Sequence, residues 1–341
     1  MKKIGITTTV PIEVLMAAGY TPIDLNNMFI GSPECESLVA LAERAGFPQN
    51  CCAWIKGIYG VCLEYGVKTV LCVTNGDCSN TGMLMEVLRL KGLETIPFAY
   101  PEEPDPAAMR RALEGLADRL GTTLDAAWDV RAQLGRARRL AHELDRRTWQ
   151  DGTVSGLENH RWLVTASDFG GDHREYESRL STLLAAMDAR DSFPNDYLRL
   201  AYVGVPPVFA DELYPCIERN RARVVLNEIQ RQFAMTDQGD SLAGQYCNYT
   251  YPYSIMGRVN DIRTEVGRRK VDGVIHYVQA FCHRGIGDII LRNQIDLPML
   301  TLEGNNDFSL SNHVRTRIEA FIDMLRRRRA TKGAVGPGAD A

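Results

Sequence analysis

The sequence predicts an α/β protein built from two doubly wound parallel sheets joined by a helical segment. Three observations predict it. Residues 1–103 alternate short apolar runs with helical patterns, the signature of a parallel sheet wound on both faces. Residues 196–330 repeat that plan, and in both stretches an apolar strand leads into a cysteine-bearing loop and then a helix. Between them, residues 104–195 are rich in Ala, Arg and Leu with apolar positions at helical spacing. Residues 331–341 are small and polar and are expected to form a disordered tail.

In the first unit, residues 3–8 read as a strand, Pro11 opens a short helix closed near Gly19, and residues 20–25 return to strand. Residues 38–45 are helical, and the mostly apolar CCAWIKGIYGVCLEYG at 51–66 reads as a buried helix. The stretch VLCVTNGDCSNTG at 70–82 organises the unit. Its first five residues form a buried strand, Asn75-Gly76-Asp77 breaks it, and Ser79, Asn80 and Thr81 are candidate N-caps. Met83, Leu84, Val87, Leu88 and Leu90 then give the next helix an apolar stripe, and residues 94–98 supply another strand. Cys78 therefore sits where a strand's carboxyl end meets a helix N-terminus, an edge that favours anions and ligands.

From Pro106 to about Thr148 the pattern is one amphipathic helical stretch with Met109, Leu113, Leu116 and Leu120 on one face. Residues 157–167 and 174–187 are helical too, with His142, His160 and His173 as surface or helix-pairing residues. In the second unit, strands are expected at 198–204, 222–228, 271–278 and 297–302. Helices are expected from Pro206 to Arg219, at 285–292, and from a Ser311 cap to about Arg328.

Hydrophobic residues make up 45% and charged residues 24%, ordinary for a soluble globular protein, and the net charge of −4 argues against a nucleic-acid surface. The run Arg326–Arg329 reads as a helix end complementing its dipole. No leader pattern surrounds Lys2-Lys3 and no apolar run approaches membrane length, so a cytoplasmic protein with no membrane partner is expected. Nine cysteines, an odd number without CxxC or finger spacing, argue against a disulfide framework or a local zinc site.

Cys282, in Phe281-Cys282-His283-Arg284, occupies the same kind of position as Cys78: past an apolar strand and before a helix. The vicinal pair Cys51-Cys52 opens the buried helix upstream. Three thiolates from distant positions suit an iron–sulfur cluster at a domain interface, with one iron left for substrate; the rival reading is that at least one of them is a buried, inert thiol. Cys72 and Cys62 read as core, Cys35 and Cys216 have no motif around them, and Cys247 lies in an irregular Gly/Tyr-rich stretch. Asp77 and Asn80 either satisfy loop amides or hydrogen-bond towards the cluster. His283 is a candidate proton donor, and His276 on its strand reads as a satisfied core histidine. Glu303 and Asp307 follow a strand on the same edge and either face the cleft or stabilise their loop. Gly285-x-Gly287 lacks the third glycine of a dinucleotide fingerprint, and no Walker lysine motif appears.

The phrases VPIEVLMAAGYTPIDL, CCAWIKGIYG, TNGDCSNTGMLMEVL, FCH and LPMLTLEGNNDFSLSNHVRTRIEAFIDML resemble the 2-hydroxyacyl-CoA dehydratase family, which also holds the subunits of benzoyl-CoA reductase. The similarity is strongest over residues 4–100 and 198–326. It implies two Rossmann-like domains with a [4Fe–4S] cluster held by three cysteines in the cleft between them. Carried over, the family's first cysteine begins a Cys-small-aromatic-apolar-basic phrase, which fits Cys52-Ala53-Trp54-Ile55-Lys56, with Cys51 as the alternative. The second is Cys78 and the third Cys282. The extra cysteines leave a larger, double-cubane type of cluster open.

The resemblance further implies a lyase or oxidoreductase of radical type. A separate ATP-hydrolysing iron–sulfur activator delivers one low-potential electron, and an acyl-CoA or related small substrate is dehydrated or reduced. The working unit would be a homodimer or a heterodimer with a homologous subunit. The chain is short for a dehydratase and offers no obvious CoA-recognition motif. Two rival readings stand beside this one: a non-catalytic subunit carrying the cluster for a larger reductase, and a metal-free two-domain protein binding a small ligand.

Overall fold

A computed structural model describes residues 2–237, 239–305 and 307–334. Among these residues the strands form two four-stranded parallel sheets. The first comprises β1 (Lys2–Ile6), β2 (Tyr20–Asp24), β3 (Thr69–Asn75) and β4 (Glu94–Ala99), in the order β2-β1-β3-β4. The second comprises β5 (Leu198–Gly204), β6 (Ala222–Asn227), β7 (Gly273–Gln279) and β8 (Met299–Gly304), in the order β6-β5-β7-β8. The two orders are the same, so each sheet reverses direction between its first and third strands. That reversal opens a crevice at the carboxyl edge. Cys78 follows β3 and Cys282 follows β7, the equivalent third strands. The fold is the α/β, Rossmann-like pair of sheets expected from the alternation. No described helix is long and apolar enough to cross a membrane.

Both faces of each sheet are covered, which is why the strands read as unbroken apolar runs rather than alternating ones. On β3, Val70 and Cys72 face the helices Cys35–Arg44, Ala53–Glu64 and Thr81–Leu90, while Leu71 and Val73 face the helical segment. That segment is not one continuous helix from Pro106. Gly121, at φ 72°, ends Pro106–Leu120 in the left-handed conformation, and Thr123 caps a second helix, Leu124–Arg146. Two features of residues 228–270 escaped the sequence reading. They contain the helices Glu228–Phe233, Leu242–Asn248 and Ile255–Arg268, so Cys247 is helical rather than irregular. Leu242, Tyr246 and Tyr253, which lie between β6 and β7 in sequence, pack into the core of the first sheet beside Met109 and Leu113. Buried Glu13 anchors the crossing: it accepts from Arg138 (2.7 Å), Gln245 (2.7 Å) and Tyr246 (2.6 Å).

The stripe expected on Thr81–Leu90 is narrower than predicted. Leu84 and Leu88 are buried, but Met83 is 69% and Leu90 84% exposed. At about 100° per residue, a helix that turns positions 84 and 88 inward carries 83 and 90 away from the sheet. The final helix, Asn312–Ala334, passes Arg328 and takes in the first residues of the expected tail; 335–341 lie outside the described residues.

Gly204 ends β5 at φ +103°, and a Cβ there would lie 2.0 Å from the Tyr277 carbonyl oxygen. Neither backbone can yield without breaking the β5–β7 pairing at the crevice. Gly204→Ala is expected to cost about 3 kcal/mol or more, measured by denaturant unfolding.

A second prediction comes from the contact between β2 and the helical segment. The Asp24 N–H donates to Asp168 Oδ2 (2.7 Å), and the Ser167 hydroxyl donates to Asp24 Oδ2 (2.7 Å), so two carboxyls share one buried pocket. Burial, then the Asp24 charge, pushes Asp168 up to about 7. The unfolded value is roughly 4. Between those values the folded chain holds a proton the unfolded chain has lost, so stability falls as pH rises from about 4 to about 7. Asp168→Asn is expected to flatten that fall, seen as urea midpoints at pH 5 and pH 7 that converge.

Candidate functional site

Cys52 is the N-cap of the helix Ala53–Glu64, in extended conformation (φ −53°, ψ 131°), so the vicinal cysteines precede the helix instead of lying in it. The Trp54 and Ile55 backbone N–H groups favour the Cys52 thiolate and offset part of the effect of burial, although no side-chain cap hydrogen bond to Cys52 forms at this helix start. Lys56, fully buried, closes this corner by donating to Glu43 Oε1 (2.6 Å) and the Gln49 carbonyl (3.3 Å). Its charge also acts on the half-buried Cys51 thiol.

Cys78 stands at the mouth of Thr81–Leu90, where the Asn80 backbone N–H favours its thiolate. None of the expected caps closes this helix with a side chain, and the Thr81 hydroxyl is buried without a hydrogen-bond partner among the described residues. Cys282 follows Phe281, which is held in the left-handed region at φ 61°. The Cys282 N–H donates to Gln279 O (3.1 Å) and the Gly285 N–H to Cys282 O (2.9 Å), a tight turn that points the loop back over the sheet edge.

The fold brings the three thiols together. Burial pushes Cys52 up to about 12, and charge on Cys282 and Cys51 adds to it. Burial also pushes Cys78 up to about 12, with Asp77 and then Cys52 and Cys282 acting in the same direction. Val208 and Phe308 of the second unit pack against the same first-unit core that Cys51, Trp54 and Cys78 pack against. Of the remaining thiols, Cys35, Cys62 and Cys72 are buried members of that same core, Cys247 packs against the other core of the first unit, and Cys216 lies in the core of the second sheet.

Arg284 joins the two cysteine loops. It donates to Gly76 O on the Cys78 loop (2.9 Å) and to Tyr251 O (3.1 Å), and its guanidinium lies over the Tyr251 ring at 4.3 Å. Asp77 is the expected neighbour that this arrangement draws in. Burial raises its carboxyl above the ordinary range while Arg284 and the Tyr251 hydroxyl pull it back. Asn80 stays beside Cys78 and contributes through its backbone. His283 is exposed beside Arg284, held below its usual value by partial desolvation and by that cation. Glu303 is exposed on β8 opposite Val278, and no hydrogen bond or ion pair links it to the cysteines among the described residues. Asp307 accepts from the Asn305 N–H (3.2 Å), the loop-stabilising role.

Several polar residues at the edge were missed because nothing local marks them. Glu228 and Arg258 form a buried bidentate pair at 2.9 Å in both bonds, with the Gly204 N–H also donating to Glu228 (3.3 Å). His276 lies in the core, as expected, and one ring nitrogen has a specific partner: its Nδ1 meets Asp288 Oδ1 at 2.7 Å, and Thr301 and Arg292 hold the same carboxylate. Tyr251 comes from the segment that crosses to the first unit.

The family model for 2-hydroxyglutaryl-CoA dehydratase, D-component, matches residues 7–325. The chain belongs to that family. It is thus a component of the 2-hydroxyacyl-CoA dehydratase type, and the dehydratase family match covers every strand but β1, the helical segment and all three cysteine loops. No curated protein matches the chain. Among solved structures, the SBP FpvC in complex with Ni2+ ion from P.aeruginosa is similar at 11% identity over 100% of this chain and 99% of that one, with a TM-score of 0.23. A likeness that slight carries no argument for this dehydratase component.

Proposed function

We propose that this chain is an iron–sulfur dehydratase component in which Cys52, Cys78 and Cys282 hold a [4Fe–4S] cluster in the cleft. The observation that carries the proposal is the meeting of three thiols from three distant segments at the equivalent edges of two like sheets. The donor set fits the group. Backbone N–H groups at the two helix starts favour the thiolate at Cys52 and Cys78, the charge state a cluster's ligands require. Their high thiol values mean that both sulfurs ionise only against a nearby positive charge, which metal supplies. Among the described residues no three His, Cys, Asp or Glu side chains surround a single ion.

Bound there, the cluster supplies low-potential one-electron chemistry and an iron position that the protein leaves unfilled. The chain's own residues do the rest. Lys56 fixes the corner that carries Cys52, and Arg284 holds the Cys78 and Cys282 loops at a set spacing. The substrate is a 2-hydroxyacyl thioester, an ATP-hydrolysing iron–sulfur activator supplies the electron, and a second homologous subunit completes the assembly. The test is an anaerobic assay of 2-hydroxyacyl-CoA dehydration with the activator. Enoyl-CoA should form only when activator and ATP are both present; formation without either would refute the radical reading.

A further inference from the structure

Beside Cys282 lies a cavity of about 30 Å³, lined by Gly204, Tyr251, His276, Gln279, Cys282 and Arg284 among others. That volume admits one water-sized oxygen and excludes a thioester or an acyl chain. Two polar atoms of its lining lack partners. Arg284 Nε is buried with no hydrogen bond among the described residues, although both terminal nitrogens of the same guanidinium are bonded. Leaving a buried guanidinium N–H unpaired is costly, so it marks a place where an acceptor belongs. The second atom is His276 Nε2. Asp288 is a carboxylate held low by Thr301, His276 and Arg292 despite its burial, so it accepts, and His276 Nδ1 therefore carries the proton. Burial keeps the ring neutral, leaving Nε2 as a lone-pair acceptor with no partner among the described residues. The lining thus offers one fixed donor and one fixed acceptor around a volume for one oxygen.

We propose that this cavity is a subsite for a single oxygen: the hydroxyl that leaves the substrate, held as water, with Arg284 Nε–H donating to it and His276 Nε2 accepting from it. The proposal rests on the dehydratase reading for the source of the oxygen. In the net reaction the C2–O and C3–H bonds of a 2-hydroxyacyl thioester break and a C2–C3 double bond forms. The C3 proton and the C2 hydroxyl leave together as water, with no net gain or loss of electrons. A donor–acceptor pair suits water and disfavours a carbonyl oxygen, which could not satisfy Nε2. Asp288 is a positioning residue here, because it sets the tautomer that makes Nε2 an acceptor.

The test is an anaerobic crystal structure of the full holoprotein, with His276→Phe and Arg284→Met beside it. In the wild type an ordered oxygen should lie within hydrogen-bond distance of both Arg284 Nε and His276 Nε2. It should be absent from His276→Phe, whose ring takes the space, and should lose its donor in Arg284→Met. His276→Gln, which keeps an acceptor, should retain it and covers the case in which the larger ring prevents folding. An oxygen bonded to neither atom, or protein atoms filling the cavity, overturns the subsite. In turnover, His276→Phe should lower kcat by about tenfold or more with KM little changed, and unchanged kcat overturns the assignment to the leaving hydroxyl. An oxygen seen on both atoms in a protein that dehydrates no 2-hydroxyacyl thioester would refute the dehydratase reading while leaving the oxygen subsite standing.

Discussion

Cys282→Ala is expected to strip the iron from the anaerobically purified chain, and Cys78→Ala to do the same. Each residue is the sole thiol on its loop, and the loops come from different sheets, so no neighbouring cysteine can take its place. Two remaining thiolates would hold a cubane too weakly to survive purification. The control is Cys72→Ala. Cys72 is buried in the first unit's core from the middle of β3, and among the described residues its sulfur makes one hydrogen-bond contact, a long 3.9 Å to Val70 O. That variant should keep its iron and lose about 1 kcal/mol of stability, the scale for a small buried group. Iron per chain, measured beside unfolding midpoints, separates the two behaviours; full iron in both loop variants would remove the site assignment.

The second large effect concerns the vicinal pair. Read as a helix, the segment would turn adjacent side chains about 100° apart, so one sulfur alone would reach the cleft. The pair in fact precedes the helix, and the choice between the sulfurs rests on different grounds. The Cys52 thiolate is favoured by the Trp54 and Ile55 N–H groups and lies in electrostatic reach of Cys282 and Cys78. Cys51 is half-buried, and its thiol answers to Lys56. Cys52→Ser should therefore lose most of the iron and activity, and Cys51→Ser should keep both. The reverse result would make Cys51 the ligand. Equal damage from both would point to a larger cluster that uses the two sulfurs.

The parallel sheets were legible because strands covered on both faces leave unbroken apolar runs such as 70–73 and 200–203. The equivalence of the Cys78 and Cys282 loops was legible as well, since each follows such a run. Less was readable where tertiary contacts override local pattern. Met83 and Leu90 counted as core by composition, yet the sheet engages only the Leu84–Leu88 side of their helix. The crossing of residues 242–253 to the first unit depends on buried Glu13, more than two hundred residues away, and no spacing reveals such a pairing. The same holds for Arg284, whose partner Gly76 is distant in sequence, and for the Asp288 behind His276, which reads locally as a helix start. Motifs carried the cysteines; only the fold could gather the polar residues around them.

Iron and acid-labile sulfide counts on wild-type protein purified without oxygen, joined to an electron paramagnetic resonance spectrum of the reduced sample, test the central claim most directly. The account predicts about four irons and four sulfides per chain and a reduced-cluster signal. A colourless, iron-free chain, obtained after expression with ample iron, would contradict it.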